Sequence, residues 1–170
     1  ADLARLSGLQ RSTVSLIVEE LIAERWILEG ATGRLPRGRR PTLIKLNNQR
    51  AVIALDVHPA QTTVAVADLG GKIIAQNVIV LPNDAGKALS AIVSGIRKLI
   101  AAHQEKSFDG IGICLPGRAD LRMQKLIFAP NLNWPVLGIK SRIQRATGLR
   151  VEMDNVANAC ALSEVWFGES

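Results

Sequence analysis

The sequence predicts an α/β protein in two parts: a small helix-and-hairpin domain over residues 1–50 and a larger α/β domain over residues 51–170. Three observations predict this arrangement. Apolar residues recur at helical spacing near the start, a basic loop rich in glycine and proline separates two short strand patterns, and strands and amphipathic helices follow it. The chain has 170 residues, of which 48% are hydrophobic, so it has the material for a substantial core.

The first two predicted elements are helices joined by a tight turn. Residues 2–6 fit the end of a helix, and Gly8 supplies the backbone freedom that a turn with positive φ requires. A second helix opens at Gln10. Its apolar residues recur every 3.6 positions and predict a buried stripe, formed by Val14, Ile17, Val18, Leu21 and Ile22.

Polar side chains cluster at the start of the second helix, off the apolar stripe. They are Gln10, Arg11, Ser12, Thr13 and Ser15. A helix, a turn and a second helix with an exposed polar start make a helix-turn-helix, whose second helix enters the major groove. We therefore predict that these five residues contact DNA. N-capping by Ser12 or Thr13 is an alternative role for those hydroxyls, and it is compatible with DNA contact.

A strand over residues 26–29 and an antiparallel mate over residues 42–46 enclose the most basic segment of the chain. From Ala31 to Arg50 there are six basic residues and no acidic one, while the other 150 residues carry 15 of each sign. Taken alone, this segment fits a solvated linker as well as a polyanion site. After a helix-turn-helix it predicts the wing of a winged helix-turn-helix, whose arginines suit a minor groove. We predict double-stranded DNA as the partner, with wing contacts from Arg34, Arg37, Arg39 and Arg40.

The second domain begins at Ala51 with three successive strand patterns. A long helix follows, with Leu89, Ile92, Val93, Ile96 and Leu99 on one face, and then a buried strand ending at Pro116-Gly117. Three hairpin strands, a helix and another strand predict the first lobe of an actin-like, ribonuclease H-like domain. The predicted elements are strands at 51–57, 62–68, 73–81, 110–115 and 151–153 and helices at 85–103, 136–147 and 156–167.

Several motifs occur in an order that resembles the ROK family, which contains bacterial transcriptional repressors and sugar kinases. The motifs are Arg37-Gly38-Arg39-Arg40-Pro41, Leu55-Asp56, Leu115-Pro116-Gly117, Ala129-Pro130-Asn131-Leu132-Asn133-Trp134 and the segment from Asn155 to Glu164. The resemblance covers essentially the whole chain. It implies that residues 51–170 are the first lobe of an actin-like ATPase-type domain, whose C-terminal lobe lies outside this chain.

The kinases of the family use two chemical devices, and the resemblance implies that both are altered here. Their glycine-rich phosphate loop corresponds to residues 56–62, which contain no glycine and include Pro59, which has no N–H to donate. The aspartate that takes the proton of the sugar hydroxyl corresponds to Val156, which cannot accept a proton. Asp154 lies nearby in sequence, but we expect its side chain to point elsewhere. We therefore predict no kinase activity; the alternative is a ROK-type sugar kinase with an accessory DNA-binding-like module.

Sugar binding is a separate expectation from kinase chemistry. The family's sugar-binding groups correspond by position to Gly117, Asn131 and Asn155, and an asparagine amide both donates to and accepts from hydroxyls. Loop and cap stabilisation by Asn131 and Asn155 is an equally good interpretation of the sequence. The resemblance thus implies a transcriptional repressor whose affinity for operator DNA a sugar effector modulates. A regulator that has lost its effector and works through protein contacts alone is a further alternative.

The remaining expectations concern compartment, cofactors and assembly. Cys114 and Cys160 lie in apolar segments without metal-ligand spacing, so we expect small buried side chains in a reducing, cytoplasmic compartment. No Cys/His cluster predicts a metal or other cofactor in this chain, and the family's zinc motif would lie beyond Ser170. No segment is apolar enough to predict a membrane span. We expect a homodimer or homotetramer.

Overall fold

The computed structural model of the chain describes residues 2–32, 42–120, 125–128 and 138–168. The chain divides into two compact units, Ala1–Asn48 and Gln49–Ser170.

The first unit contains two helices and a two-stranded antiparallel sheet: α1 (Asp2–Ser7), α2 (Arg11–Ala23), β1 (Ile27–Thr32) and β2 (Thr42–Leu46). Gly8 has φ of 70°, which confirms the predicted turn between the helices. In the sheet Ile27 pairs with Leu46. Asn47 follows β2 and holds the start of the hairpin, because its Nδ2 donates to the carbonyl oxygen of Arg25 at 2.8 Å.

The predicted burial of the apolar stripe of α2 is wrong. No side chain of α2 is buried, and Ile17, which the stripe included, is 41% exposed. The other four stripe residues, Val14, Val18, Leu21 and Ile22, are half-buried. The periodicity is therefore correct, but a unit of this size has a high surface-to-volume ratio and does not enclose a helix face.

The second unit is built on a five-stranded mixed sheet. In spatial order its strands are β5 (Ile73–Val80), β4 (Gln61–Asp68), β3 (Arg50–Val57), β6 (Ser107–Leu115) and β9 (Val151–Asn155). β3, β4 and β5 are antiparallel neighbours, whereas β3 pairs with β6 and β6 with β9 in parallel. The helices are α3 (Ala85–Ala102), α4 (Ile139–Thr147) and α5 (Val156–Phe167).

These strands and helices lie where the periodicity predicts them, within a few residues. The unit also contains a small antiparallel pair that the sequence did not predict, β7 (Arg118–Asp120) with β8 (Lys125–Phe128). Its strands are short and lack the alternation that marks a longer strand.

One face of the sheet, together with α3 and α4, forms the core. Alternate residues of β3 point into it, and Ile53, Leu55 and Val57 are at most 1% exposed. The predicted face of α3 supplies four buried residues, Leu89, Ile92, Ile96 and Leu99, and α4 supplies Ile139 and Ile143. Asp84 starts α3 by accepting a hydrogen bond from Lys87 N at 2.8 Å.

The opposite face of the sheet carries polar groups at the ends of the parallel strands. Asp56 is in register with Cys114, and Cys114 with Asp154, so the three form a row across β3, β6 and β9. α5 follows β9 without an intervening residue. At its far end the ring of Phe167 lies so close to Gly71 that a Cβ there would come within 2.9 Å of it.

Within the described residues, no helix combines the length and the apolar character that crossing a bilayer requires.

Candidate DNA-binding and effector sites

The predicted DNA-contacting residues of the first unit lie together at the start of α2. Gln10 occupies the N-cap position with extended backbone angles, and its side chain makes no capping bond. Arg11, Ser12 and Thr13 form the first helical turn. All of these side chains, and that of Ser15, are exposed. The helix therefore presents polar groups and free backbone N–H groups at its N-terminus, where phosphate binds favourably.

The alternative capping role for Ser12 or Thr13 is wrong. The helix begins at Arg11, so the two hydroxyls lie inside the first turn and not at the cap. Their side chains are consequently not needed to start the helix.

The predicted wing contacts Arg34, Arg37, Arg39 and Arg40 lie outside the described residues. The strands on either side are paired up to Thr32 and Thr42, which are partners in the hairpin. Residues 33–41 therefore connect two adjacent strand ends, and the wing contacts remain a prediction.

Two of the predicted effector residues are joined by a hydrogen bond. Asn155 Nδ2 donates to the carbonyl oxygen of Gly117, which follows β6 with φ of 103°. Asn155 Oδ1 accepts from Ala157 N at 2.7 Å and so caps α5. The capping interpretation of Asn155 is therefore confirmed, and one Nδ2 hydrogen is left over from these two bonds. The third predicted residue, Asn131, lies outside the described residues.

The side chain of Asp154 forms hydrogen bonds at the start of α5. Its Oδ1 accepts from Asn155 N at 2.7 Å and from Asn158 Nδ2 at 2.9 Å. The prediction of site residues omitted Asn158. The signal that could have found it is its spacing of four from Asp154, which places both groups on one side of the helix start.

The turn between β3 and β4 is closed by its own backbone. His58 N donates to the carbonyl oxygen of Gln61 at 2.9 Å, and Pro59 has no N–H. His58 Nε2 also lies 3.0 Å from Asp56 Oδ2, with both side chains about half exposed. This turn consequently offers few backbone donors to a phosphate.

The expectation that both cysteines are buried is wrong. Cys160 is exposed on α5, and Cys114 is half-buried on β6. Burial raises the pKa of the Cys114 thiol, and the neighbouring Asp56, Cys160 and Asp154 raise it further. Cys114 is therefore a poor nucleophile at neutral pH.

Alkylation should distinguish the two cysteines. With limiting iodoacetamide at neutral pH, we expect Cys160 to react about tenfold faster than Cys114, because the raised pKa and the partial burial of Cys114 both slow its reaction. Mass spectrometry of peptides from a time course measures the two rates. Raising the pH should bring the two alkylation rates closer together, because the Cys114 thiol then ionises. Equal rates at neutral pH would contradict the raised pKa of Cys114.

Among the described residues, no group of three or more His, Cys, Asp or Glu side chains is placed to hold a metal ion.

Comparison with known proteins relates both units to one family. The ROK family profile matches residues 52–170. The xylose repressor of Caldicellulosiruptor bescii is 32% identical over 98% of this chain and 43% of its own length. The crystal structure of a ROK family transcriptional regulator, a homologue of the E. coli MLC protein, superposes with a TM-score of 0.77 at 26% identity, over 98% of this chain and 43% of that one.

A kinase structure is similar to a smaller part of this chain. The ROK glucokinase of Streptomyces griseus, in complex with glucose and AMPPNP, has a TM-score of 0.61 at 28% identity, over 70% of this chain and 37% of that one. The chain thus spans less than half the length of the relatives that it matches. The mixed α/β fold of its second unit is that of ROK regulators and kinases, and the chain belongs to the ROK family.

Proposed function

We propose that this chain is part of a sugar-responsive transcriptional repressor, with a DNA-binding head in its first unit and an effector site in its second. The likeness to a xylose repressor extends over 98% of the chain, whereas the likeness to a kinase structure covers 70%. Repressor relatives therefore include the front unit, and this observation carries the proposal.

The head acts as a winged helix-turn-helix. α2 enters the major groove with its exposed polar start, so that Gln10 and Arg11 contact base edges while the hydroxyls of Ser12, Thr13 and Ser15 contact bases or phosphates. The hairpin loop carries the wing arginines Arg34, Arg37, Arg39 and Arg40 into the adjacent minor groove. Two heads in a dimer read half-sites about 34 Å apart, or a multiple of that distance.

The effector site lies where β6 and β9 end. Gly117 and Asn155 are held against each other there, and the remaining amide hydrogen of Asn155 is available to a sugar hydroxyl. Asn131 supplies a further amide. The site is built at the carboxyl ends of parallel strands, where α/β sheets bind ligands.

We infer that this site lacks kinase chemistry, and contacts of the described residues support that inference. His58 N and Pro59 give the β3–β4 turn little capacity to cradle a phosphate, and Asp154 Oδ1 already accepts two hydrogen bonds. Val156 begins α5 where the kinases carry the general base. The alternative, a sugar kinase with an accessory head, draws its support from the likeness to the glucokinase fold.

Selection from a random duplex library tests the proposal. We expect the full-length protein to enrich one palindromic sequence, because a symmetric dimer reads two equal half-sites. Addition of D-xylose should then lower affinity for that duplex by about 5- to 150-fold, the range of typical allosteric coupling. Fluorescence anisotropy with the labelled duplex measures both quantities.

D-mannitol, an acyclic polyol, serves as the matched ligand control and should leave affinity unchanged. Failure to enrich any duplex would contradict the DNA-binding head. Rapid ATP turnover with D-xylose or D-glucose in a coupled assay would favour the kinase alternative.

A further inference from the structure

The two helices on the core face of the second unit, α3 and α4, carry positive charge only. Neither α3 nor α4 contains an Asp or Glu, while together they contain Lys87, Arg97, Lys98, Lys140, Arg142 and Arg145. Lys140 forms an ion pair with Glu152 at 3.1 Å. The other five side chains are exposed, and in the described part of the chain no carboxylate forms an ion pair with them. These exposed cations favour a partner of opposite sign.

A groove follows the contact line between α3 and α4, which we call the α3–α4 seam. Its volume is about 570 Å³, and its lining combines aliphatic groups, among them Val93, Ala101 and Ala146, with the cations Lys98 and Arg142. A second groove of about 440 Å³ begins at the same Ala101 and Ala146 and extends the seam. The seam is therefore long, open and amphipathic.

Arg97 fixes the two helices in position along the seam. Its Nε and Nη2 donate to the carbonyl oxygen of Ala146 at 3.1 and 2.7 Å, near the end of α4. The bond satisfies a carbonyl in the last turn of that helix. The groove thus lies between two elements that are also joined through the buried core.

The spread of the charges determines what the seam fits. A small anion held by Lys98 and Arg142 would leave the aliphatic lining of the groove uncovered. It would also leave unmatched the charge of Lys87, which lies about 16 Å from Lys98 along α3 at 1.5 Å per residue. A nucleic-acid backbone has no aliphatic groups to cover Val93, Ala101 and Ala146. A second copy of the same face is excluded because like charges would oppose each other. A protein segment with both carboxylates and aliphatic side chains satisfies both parts of the seam.

We propose that the α3–α4 seam is a docking surface for an acidic, amphipathic segment of a partner protein. The partner's aliphatic side chains cover the floor of the groove, and its carboxylates face Lys98 and Arg142 on the rim. This surface lies on the opposite side of the sheet from the row formed by Asp56, Cys114 and Asp154. The partner protein and the effector therefore occupy separate sites.

A labelled peptide tests the surface directly. The probe is a helical peptide of about 16 residues, long enough to span roughly 24 Å, with Leu on one face and Glu on the other. The protein carries Arg34→Ala, Arg37→Ala, Arg39→Ala and Arg40→Ala in every sample so that the wing arginines cannot bind the probe. We expect Lys98→Glu with Arg142→Glu to weaken binding by about tenfold or more, measured by fluorescence anisotropy.

Lys72→Glu with Arg150→Glu is the matched control, because it makes the same change in net charge at exposed positions outside the seam. It should change affinity by less than about twofold. Circular dichroism of both variants establishes that they remain folded. Backbone amide NMR chemical shifts should change on probe addition mainly for residues of α3 and α4.

Three results would overturn the proposal. Equal weakening by the two double variants would mean that binding follows net charge alone. Equal binding of a peptide of the same length made only of Glu would mean that the aliphatic floor is not used. A short DNA duplex that binds the wing-substituted protein through Lys98 and Arg142 would assign the seam to nucleic acid instead.

Discussion

Replacing Arg37, Arg39 and Arg40 by alanine is expected to lower operator affinity by about a hundredfold, since each arginine contributes roughly 1 kcal/mol or slightly more. The magnitude of the slope of log affinity against log salt concentration should decrease by about 3, because binding releases about one counterion fewer for each phosphate contact that is lost. Titration of the selected duplex at several salt concentrations measures both effects. The loss of affinity should be similar for the selected duplex and a random duplex if the wing contacts the phosphate backbone. It should be larger for the selected duplex if the wing recognises the shape of the groove.

The control for the wing removes three exposed cations of the second unit. Lys72→Ala, Lys87→Ala and Arg150→Ala together make the same change in net charge. If the wing binds DNA, this variant keeps the full salt slope. A slope that falls equally in both variants would show that overall charge, and not the wing, governs binding.

Asn155→Ala is expected to abolish the response to sugar and to lower the free energy of unfolding by about 1–2 kcal/mol. The stability loss follows because the substitution removes both the cap of α5 and the bond to Gly117 O. Asn155→Ser keeps a capping oxygen but has no amide to donate. It should therefore recover most of the stability without recovering the response. Urea unfolding and operator titration with and without D-xylose measure the two quantities.

Asp84→Ala provides the matched control for Asn155. Asp84 caps α3 in the same way that Asn155 caps α5, by accepting from a backbone N–H in the first turn. Its loss should cost about 0.5–2 kcal/mol of stability while the sugar response persists. A response lost equally in Asp84→Ala would mean that it depends on stability and not on the amide of Asn155.

The sequence predicts the sheet and its helices well because their hydrophobic periods are long and regular. In α3 the apolar residues repeat over five turns, and the face they define is the buried one. β3 and β4 are likewise marked by β-branched and small apolar residues between turn signals. Family resemblance then selects Gly117 and Asn155, which the structure brings into hydrogen-bonding contact.

Features that depend on distant segments could not be predicted in this way. The basic α3–α4 seam joins charges that lie some forty positions apart in the sequence, and a total count of charge hides it because carboxylates elsewhere balance it. The exposure of Cys160 and Ile17 depends on which faces of α5 and α2 find partners. Periodicity describes a face but does not say whether anything covers it.

The direct junction between β9 and α5 places the cap of the helix at the end of the strand. Because Asn155 ends the strand and caps the helix, a displacement of its side chain acts at one end of a rod about 18 Å long. A tilt of about 10° at that end would carry the other end roughly 3 Å, enough to break a van der Waals contact. At that other end Phe167 rests on Gly71, where no room exists for a larger residue. The capping amide and the aromatic contact thus stand at the two ends of one helix, which extends from the ends of the parallel strands to the turn between β4 and β5.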